Sequence, residues 1–315
     1  MMRFELEIEG RVLSMTDLKG AIVECVPNFS EGRDPHIIRS IANEIGSIRN
    51  VKVLDIHSDS DHNRSVVTFA GRPNAVADAA VAGVRAASRL IDLNRHTGVH
   101  PRLGAADVVP LVPIRNIDMD ACVALARSVA KRVWNDLGIP TYLYGEAALR
   151  KDRKRLEKVR LGGFEQLKGL VKGDPSKAPD NGGPQLHPTA GATIIGARYP
   201  LIAYNVDLGP EDLEAAKSVA RNIRESNGGL PGVKALGLHL ESKSCVQVST
   251  NITRPDLTSP FQVFDKIREE AEKRGLTVLR SELVGLMPAE AAISSVRHAM
   301  LFEKFDEGRI IEFNL

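Results

Sequence analysis

The chain reads as an α+β protein of two ferredoxin-like (βαββαβ-type) subdomains with a substrate cleft between them. Three observations lead there. The 315 residues are 43% hydrophobic, enough to bury two modest cores. Runs with strand and helix periodicity follow the order β-α-β-β-α-β, and that order occurs twice. A Gly-, Pro-, Asp-, Asn- and Ser-rich stretch, residues 173–191, has no periodicity and lies between the copies as a functional loop or a linker. The repeat is one of element order and not of residue identity. The expected division is an N-terminal extension at 1–20, a first subdomain at 21–199 and a second at 200–315. Ligands commonly bind between domains, so a cleft site is the default expectation.

Residues 21–26 form a short apolar strand ended by Pro27 and Asn28. Ser30 or Asp34 can cap the next helix, with Pro35 in its first turn. Ile37, Ile38, Ile41, Ala42 and Ile45 recur at helical spacing until Gly46 stops them. Strands at 51–56 and 64–70 flank a polar loop at 57–63. A helix spans 75–93, with Val76, Ala80, Val84, Ala87 and Ile91 on one face. The strand at 108–114 contains Pro110 and Pro113, which place it at a sheet edge or break it with a bulge. A helix at about 119–137 leads to a strand at 141–144. Residues 149–160 hold seven basic side chains, among them Arg153 and Arg160, and read as a solvated helix face. The second half opens with strands at 192–195 and 201–208. A helix at 210–224, strands at 233–241 and 244–252, a helix at 261–274, a strand at 276–282 and a helix at 288–300 follow.

The charge is nearly balanced, 42 basic against 40 acidic residues, which argues against a general nucleic-acid binder. Cys25, Cys122 and Cys245 lie far apart, so neither a disulfide framework nor a zinc knot follows, and a reducing compartment fits. There is no apolar stretch of membrane-spanning length, so a soluble cytoplasmic protein is expected. The first ten residues alternate apolar and charged side chains, as an added edge strand or an over-long start before Met15.

The chemistry concentrates at residues 94–107, where two histidines, two arginines and an aspartate fall between apolar runs. His96 and His100 are four apart, but Gly98 and Pro101 oppose a continuous helix, and the glutamate of a metalloprotease motif is missing. His100 reads as a general acid/base, because histidine titrates near working pH. His96 serves either such a role or a turn hydrogen bond. Arg102 and Arg64 are candidate carboxylate clamps, since guanidinium offers a planar donor fork. Asn63 sits beside Arg64 in the polar loop. Around Asn28, the backbone N–H groups that the 27–32 segment presents at a helix start could hold an anion, or form an ordinary capped entry. P-loop, dinucleotide and GxSxG motifs are missing, and Ser128-x-x-Lys131 falls inside a helix, so covalent serine chemistry is unsupported. Cys25 reads as core. The irregular segment Gly182-Gly183-Pro184-Gln185-Leu186-His187-Pro188-Thr189-Ala190-Gly191 would let a flat ligand approach the main chain, or would serve as a linker.

Four segments together resemble one family: Glu24-Cys-Val-Pro-Asn-Phe-Ser-Glu-Gly32, His96-x-Gly-x-His-Pro-Arg-x-Gly-Ala105, Tyr142-Leu-Tyr-Gly-Glu-Ala147 and Gln247-Val-Ser-Thr-Asn251. The family is glutamate formimidoyltransferase, the formiminotransferase part of formiminotransferase-cyclodeaminase, without the cyclodeaminase domain. The likeness runs from about residue 22 to the C-terminal tail. It implies transfer of a formimino group between N-formimino-L-glutamate and tetrahydrofolate in histidine degradation. It places the catalytic histidine on His100 and the folate-binding loop on Gly182 to Gly191. Substrate contacts are expected from Arg102, Arg64, Asn63, Asn28 and His96. Tetrahydrofolate is the expected co-substrate, no metal is expected, and a homodimer is the expected assembly. Two positions depart from the animal pattern: His57 stands in place of an aspartate, and Ala190 in place of a tryptophan. Formyl transfer is the nearest alternative, followed by a metal-dependent amide hydrolase using His96, His100 and Asp107, and by a non-catalytic folate-binding module.

Overall fold

The computed structural model describes residues 6–8, 11–13, 20–60, 62–98 and 101–314. The chain divides into two compact units, one ending at Arg198 and the other beginning at Tyr199. At the N-terminus β1 (Leu6–Ile8) and β2 (Arg11–Leu13) pair antiparallel with each other. Among the described residues, the alternating N-terminal pattern thus makes a two-stranded sheet and not an edge strand of a larger one.

In the first unit, β3 (Ile22–Cys25) and β4 (Asn28–Phe29) share the same two neighbours and are separated by Val26 and Pro27. Helix α1 (Pro35–Gly46) follows, its first turn closed by the Asp34 carboxylate, which accepts from the His36 and Ile37 N–H groups. Ile38, Ile41, Ala42 and Ile45 face the core at helical spacing, as their periodicity predicts. The hairpin β5 (Val51–Asp59) and β6 (Arg64–Gly71) comes next, then α2 (Pro73–Leu90), β7 (Ala106–Arg115), α3 (Met119–Leu137) and β8 (Thr141–Gly145). Two short helices, α4 (Leu156–Val159) and α5 (Gly163–Leu170), precede β9 (Thr193–Ala197). Among the described residues the sheet order is β5, β6, β3/β4, β7, β9, β8. Pairing is antiparallel as far as β7 and parallel from β7 through β9 to β8.

Three expectations need correction. Strand β7 is central, with β3 and β4 on one side and β9 on the other, despite its two prolines. The bulge alternative holds for Pro113, where the register with β3 shifts, while Pro110 lies opposite the Val26–Pro27 break between β3 and β4, where its carbonyl accepts the Val26 N–H at 3.3 Å. Strand β9 completes the first unit and does not open the second. The basic segment 149–160 is not wholly a solvated face. Arg153 is 4% exposed and paired with Asp180 at 2.7 Å, and Arg160 reaches Asp107 at 2.5 Å.

The second unit contains β10 (Ile202–Gly209), α6 (Leu213–Ile223), β11 (Val233–Leu240), β12 (Cys245–Ile252), α7 (Pro260–Glu272), β13 (Thr277–Val284) and α8 (Ala289–Met300). Its sheet is antiparallel in the order β11, β12, β10, β13. The second, third, first and fourth strands of the repeat lie side by side, as do β5, β6, β3/β4 and β7 of the first unit. The helix α7 begins in a reciprocal cap between Ser259 and Gln262. Each unit has its own apolar core, the first centred on residues such as Phe29, Ile41, Phe69, Val109 and Ile195, the second on Val206, Val219, Val248 and Ile267. Cys25, Cys122 and Cys245 are buried and unbridged, and burial pushes the Cys25 thiol well above its usual range, which fits a core role.

Candidate functional site

The strand–turn geometry of the first unit brings five of the sequence candidates close together. Phe29 at the end of β4 and Ser30 just after it, Asn63 and Arg64 at the β5–β6 turn, and His96, Arg102 and Asp107 line one small pocket. Asn28 joins them through Arg64, whose Nη2 donates to the Asn28 carbonyl oxygen Oδ1. His100 and Val99 lie outside the described residues.

Asn63 ties this wall together. It has a positive φ of 48°, a conformation that asparagine tolerates better than most residues. Its Oδ1 accepts the Gly32 N–H at 2.9 Å, and its Nδ2 donates to the Thr97 carbonyl at 3.0 Å. Its own carbonyl accepts from His96 Nε2 at 2.9 Å. With both ends of its amide engaged by backbone, Asn63 acts here as a brace for the turn. Gly32 permits the approach, because a Cβ there would stand 2.1 Å from the Asp59 carbonyl oxygen. The β5–β6 turn is also tighter than the polar run suggests, since β5 continues to Asp59, which accepts from the His62 N–H at 2.9 Å.

An anion cradle at the start of α1 does not form. The N–H of Gly32 goes to Asn63, those of Arg33 and Asp34 go to Glu31 Oε1 at 2.7 and 2.8 Å, and those of His36 and Ile37 go to Asp34. The helix entry is capped by side chains, so its amides are already satisfied.

Positive charge in the site comes from side chains instead. Burial, reinforced by the nearby Arg160 guanidinium, lowers the Arg64 pKa, while Asp107 and Asp59 oppose the shift. Guanidinium still stays charged in working conditions. Arg102 donates through Nη2 to the His96 carbonyl and to Glu165, both at 2.9 Å. Asp107 is 3% exposed and divides its carboxylate between the Leu103 N–H at 2.7 Å and Arg160 at 2.5 Å. The Phe164 N–H also donates to the Arg102 carbonyl at 2.8 Å. Segment 160–165 therefore clamps the 102–107 loop at Arg102 backbone, Arg102 side chain and Asp107. Arg160, Asp107 and Glu165 were not singled out as a brace by sequence reasoning, and nothing in the local pattern distinguishes Arg160 from its six basic neighbours.

His96 is half-buried, and burial lowers its pKa, with the Arg102 charge acting in the same direction against the Asn63 hydrogen bond. Its Nδ1 is buried without a hydrogen-bond partner among the described residues, and the same holds for the Nε atoms of Arg102 and Arg160. The pocket is thus lined by cationic side chains together with a histidine whose Nδ1 has no hydrogen-bond partner among the described residues.

The irregular segment from Gly182 to Gly191 docks against the same stretch. The Leu93 and Ala105 N–H groups donate to the Thr189 and Ala190 carbonyls, both at 2.9 Å, and Asn94 Nδ2 donates to the Pro188 carbonyl at 2.9 Å. His187 and Gly191 exchange backbone hydrogen bonds, and His187 Nδ1 accepts the Ala190 N–H at 3.0 Å. Gly191, at φ 69°, passes so near Leu103 that a Cβ would stand 2.2 Å from its carbonyl oxygen. Leu186 packs against the apolar cluster to which Leu103 and Tyr142 belong. Ala190 is buried in the core, so it presents backbone rather than side chain. His57 is an exposed residue of β5 and is not among the pocket-lining residues.

Fold and site define a class: a two-unit α+β protein whose first unit holds a small cationic pocket suited to a carboxylate ligand. The pattern of the formiminotransferase domain, N-terminal subdomain, matches residues 22–198, and that of the formiminotransferase domain matches residues 203–312. Glutamate formimidoyltransferase of Thermoplasma acidophilum is 46% identical over 294 residues, covering 93% of this chain and 96% of that protein. The protein of the same name from Streptococcus pyogenes serotype M1 is 43% identical over 286 residues, with 90% and 95% covered. Formimidoyltransferase-cyclodeaminase of Rattus norvegicus is 40% identical over 280 residues, which cover 87% of this chain but 51% of that protein. The chain belongs to the formiminotransferase family.

Proposed function

We propose that the chain is a folate-dependent glutamate formimidoyltransferase, moving the formimino group between N-formimino-L-glutamate and tetrahydrofolate. The observation that carries this is the pocket of Arg64, Arg102 and His96, set within a unit matched over its length by the formiminotransferase N-terminal subdomain. Arg64 and Arg102 hold the glutamate carboxylates, Asn28 and Asn63 orient that wall, and the loop Gly182 to Gly191 receives the folate. Reading each unit as ferredoxin-like is supported by the shared strand order.

In the reaction, N5 of tetrahydrofolate attacks the formimino carbon and forms a tetrahedral adduct. The bond from that carbon to the glutamate nitrogen then breaks, and this nitrogen leaves with a proton. His100 takes the proton from N5 and delivers one to the leaving nitrogen, a role typically worth about 100- to 10,000-fold in rate. Alignment of the two substrates supplies much of the rest. The amidinium carbon is already activated by its charge. A metal bridging His96 and Asp107 is disfavoured because both Asp107 oxygens accept hydrogen bonds and arginines surround it. No described helix is long and apolar enough to cross a membrane. A cytoplasmic homodimer is the proposed working form, testable by light scattering.

Incubation with N-formimino-L-glutamate and tetrahydrofolate should release glutamate and formiminotetrahydrofolate in equal amounts. Failure to release glutamate with both substrates saturating overturns the proposal.

A further inference from the structure

We propose that His96 selects the donor: its bare Nδ1 accepts a hydrogen bond from the terminal N–H of a formimino group and so disfavours a formyl donor, which carries an oxygen there. The inference rests on the transfer reading above and deepens it.

The tautomer is fixed by its partner. His96 Nε2 lies 2.9 Å from the Asn63 carbonyl, and a carbonyl oxygen can only accept. Nε2 therefore carries the proton, and in the neutral ring Nδ1 carries a lone pair. The carbonyl itself is held in place, because the Asn63 side chain is bonded to Gly32 on one side and Thr97 on the other. Burial and the Arg102 charge both favour the neutral ring. Nδ1 is buried without a partner among the described residues, and such atoms in native structures call for an explanation, such as a catalytic role or a bound water.

The carboxylate and amide oxygens of the side chains around the pocket already serve donors. Asp107 serves Leu103 and Arg160, Asn63 Oδ1 serves Gly32, and Asn28 Oδ1 serves Arg64. The arginines offer donors for carboxylates and cannot recognise an N–H. A formimino group keeps at least one N–H on its terminal nitrogen in either protonation state. A formyl oxygen is of similar size but offers only lone pairs, so it would face Nδ1 with like charge. Size cannot separate the two donors, whereas hydrogen-bond polarity can.

The test is titration calorimetry of N-formimino-L-glutamate and N-formyl-L-glutamate against the wild type and His96→Asn. The asparagine amide reaches the former Nδ1 position and can rotate to offer either its oxygen or its nitrogen. The wild type should prefer the formimino donor by at least about tenfold, and His96→Asn should bring the two affinities to within about threefold. An unchanged ratio in the variant, or binding of neither donor to the wild type, overturns the inference. Wild-type histidine ¹⁵N spectra check it without mutation: the His96 Nδ1 resonance should be that of an unprotonated nitrogen and should move with the formimino donor. A protonated Nδ1 overturns it. Preserved donor selectivity without transfer to tetrahydrofolate would defeat the proposed function and leave this inference standing. Transfer with His96-independent selectivity would do the reverse.

Discussion

Replacing Asp107 by asparagine should loosen the loop that presents Arg102. The carboxylate is 3% exposed, and each of its oxygens faces a donor, the Leu103 N–H at 2.7 Å and Arg160 at 2.5 Å. An asparagine of the same shape has one oxygen and one NH2 group. Whichever way it turns, its NH2 points at a donor, and the charge opposite Arg160 is gone. Removing one member of a buried ion pair costs about 3–5 kcal/mol. Arg160 keeps slight solvent access, at 13% of its side chain, so the lower end applies, about 3 kcal/mol. For a unit of this size, each kcal/mol lowers Tm by about 2–4 °C, giving a fall of about 6–12 °C. Thermal unfolding followed by circular dichroism measures it. The double variant with Arg160→Met should cost less than the two single changes added together, by more than about 1 kcal/mol. A fall below about 2 °C, or strict additivity, would refute the brace.

Arg102→Ala should raise KM for the glutamate donor about tenfold while kcat changes little, and unchanged KM in steady-state assays would make Arg102 purely structural. Arg153→Met should cost about 3 kcal/mol in thermal melts, because Arg153 and Asp180 are both buried and the Ser176 and Ala178 carbonyls also accept from the guanidinium. Arg155→Ala, which breaks an exposed pair with Glu157, should cost under about 1 kcal/mol, and equal costs would refute the distinction. In the second unit, the Asn222 amide, followed by Lys273 and Arg274, holds the Glu270 carboxyl at about 2, below the usual 4.5. Its stabilising effect is full above pH 4.5 and is lost as pH falls from there toward 2. Glu270→Gln should flatten that limb of a Tm-against-pH curve, and an unaltered limb would show that other groups cause the acid loss.

The parts legible from sequence are those carried by local pattern. The isoleucine spacing of α1, the proline and Asp34 at its start, and the β-α-β-β-α-β order all rest on neighbours within a few residues. Gathering Arg64, His96 and Arg102 as candidates needed only their chemistry and the motif resemblance. What stayed hidden depends on long-range partners. Arg160 meets Asp107 across 53 positions, and Arg153 meets Asp180 across 27, so one buried and one largely buried arginine looked like their solvated neighbours. The amides before α1 were claimed by Glu31 and Asn63, and the second of these lies 31 residues away. The prolines of β7 misled for a related reason: whether a strand is central depends on strands elsewhere, here on β9 returning beside it.

The most direct test of the account is steady-state transfer by His100→Ala beside the wild type, with tetrahydrofolate affinity measured on both. The account predicts a kcat loss of at least about 100-fold with folate affinity within about twofold of wild type. Near-normal turnover in the variant would contradict it.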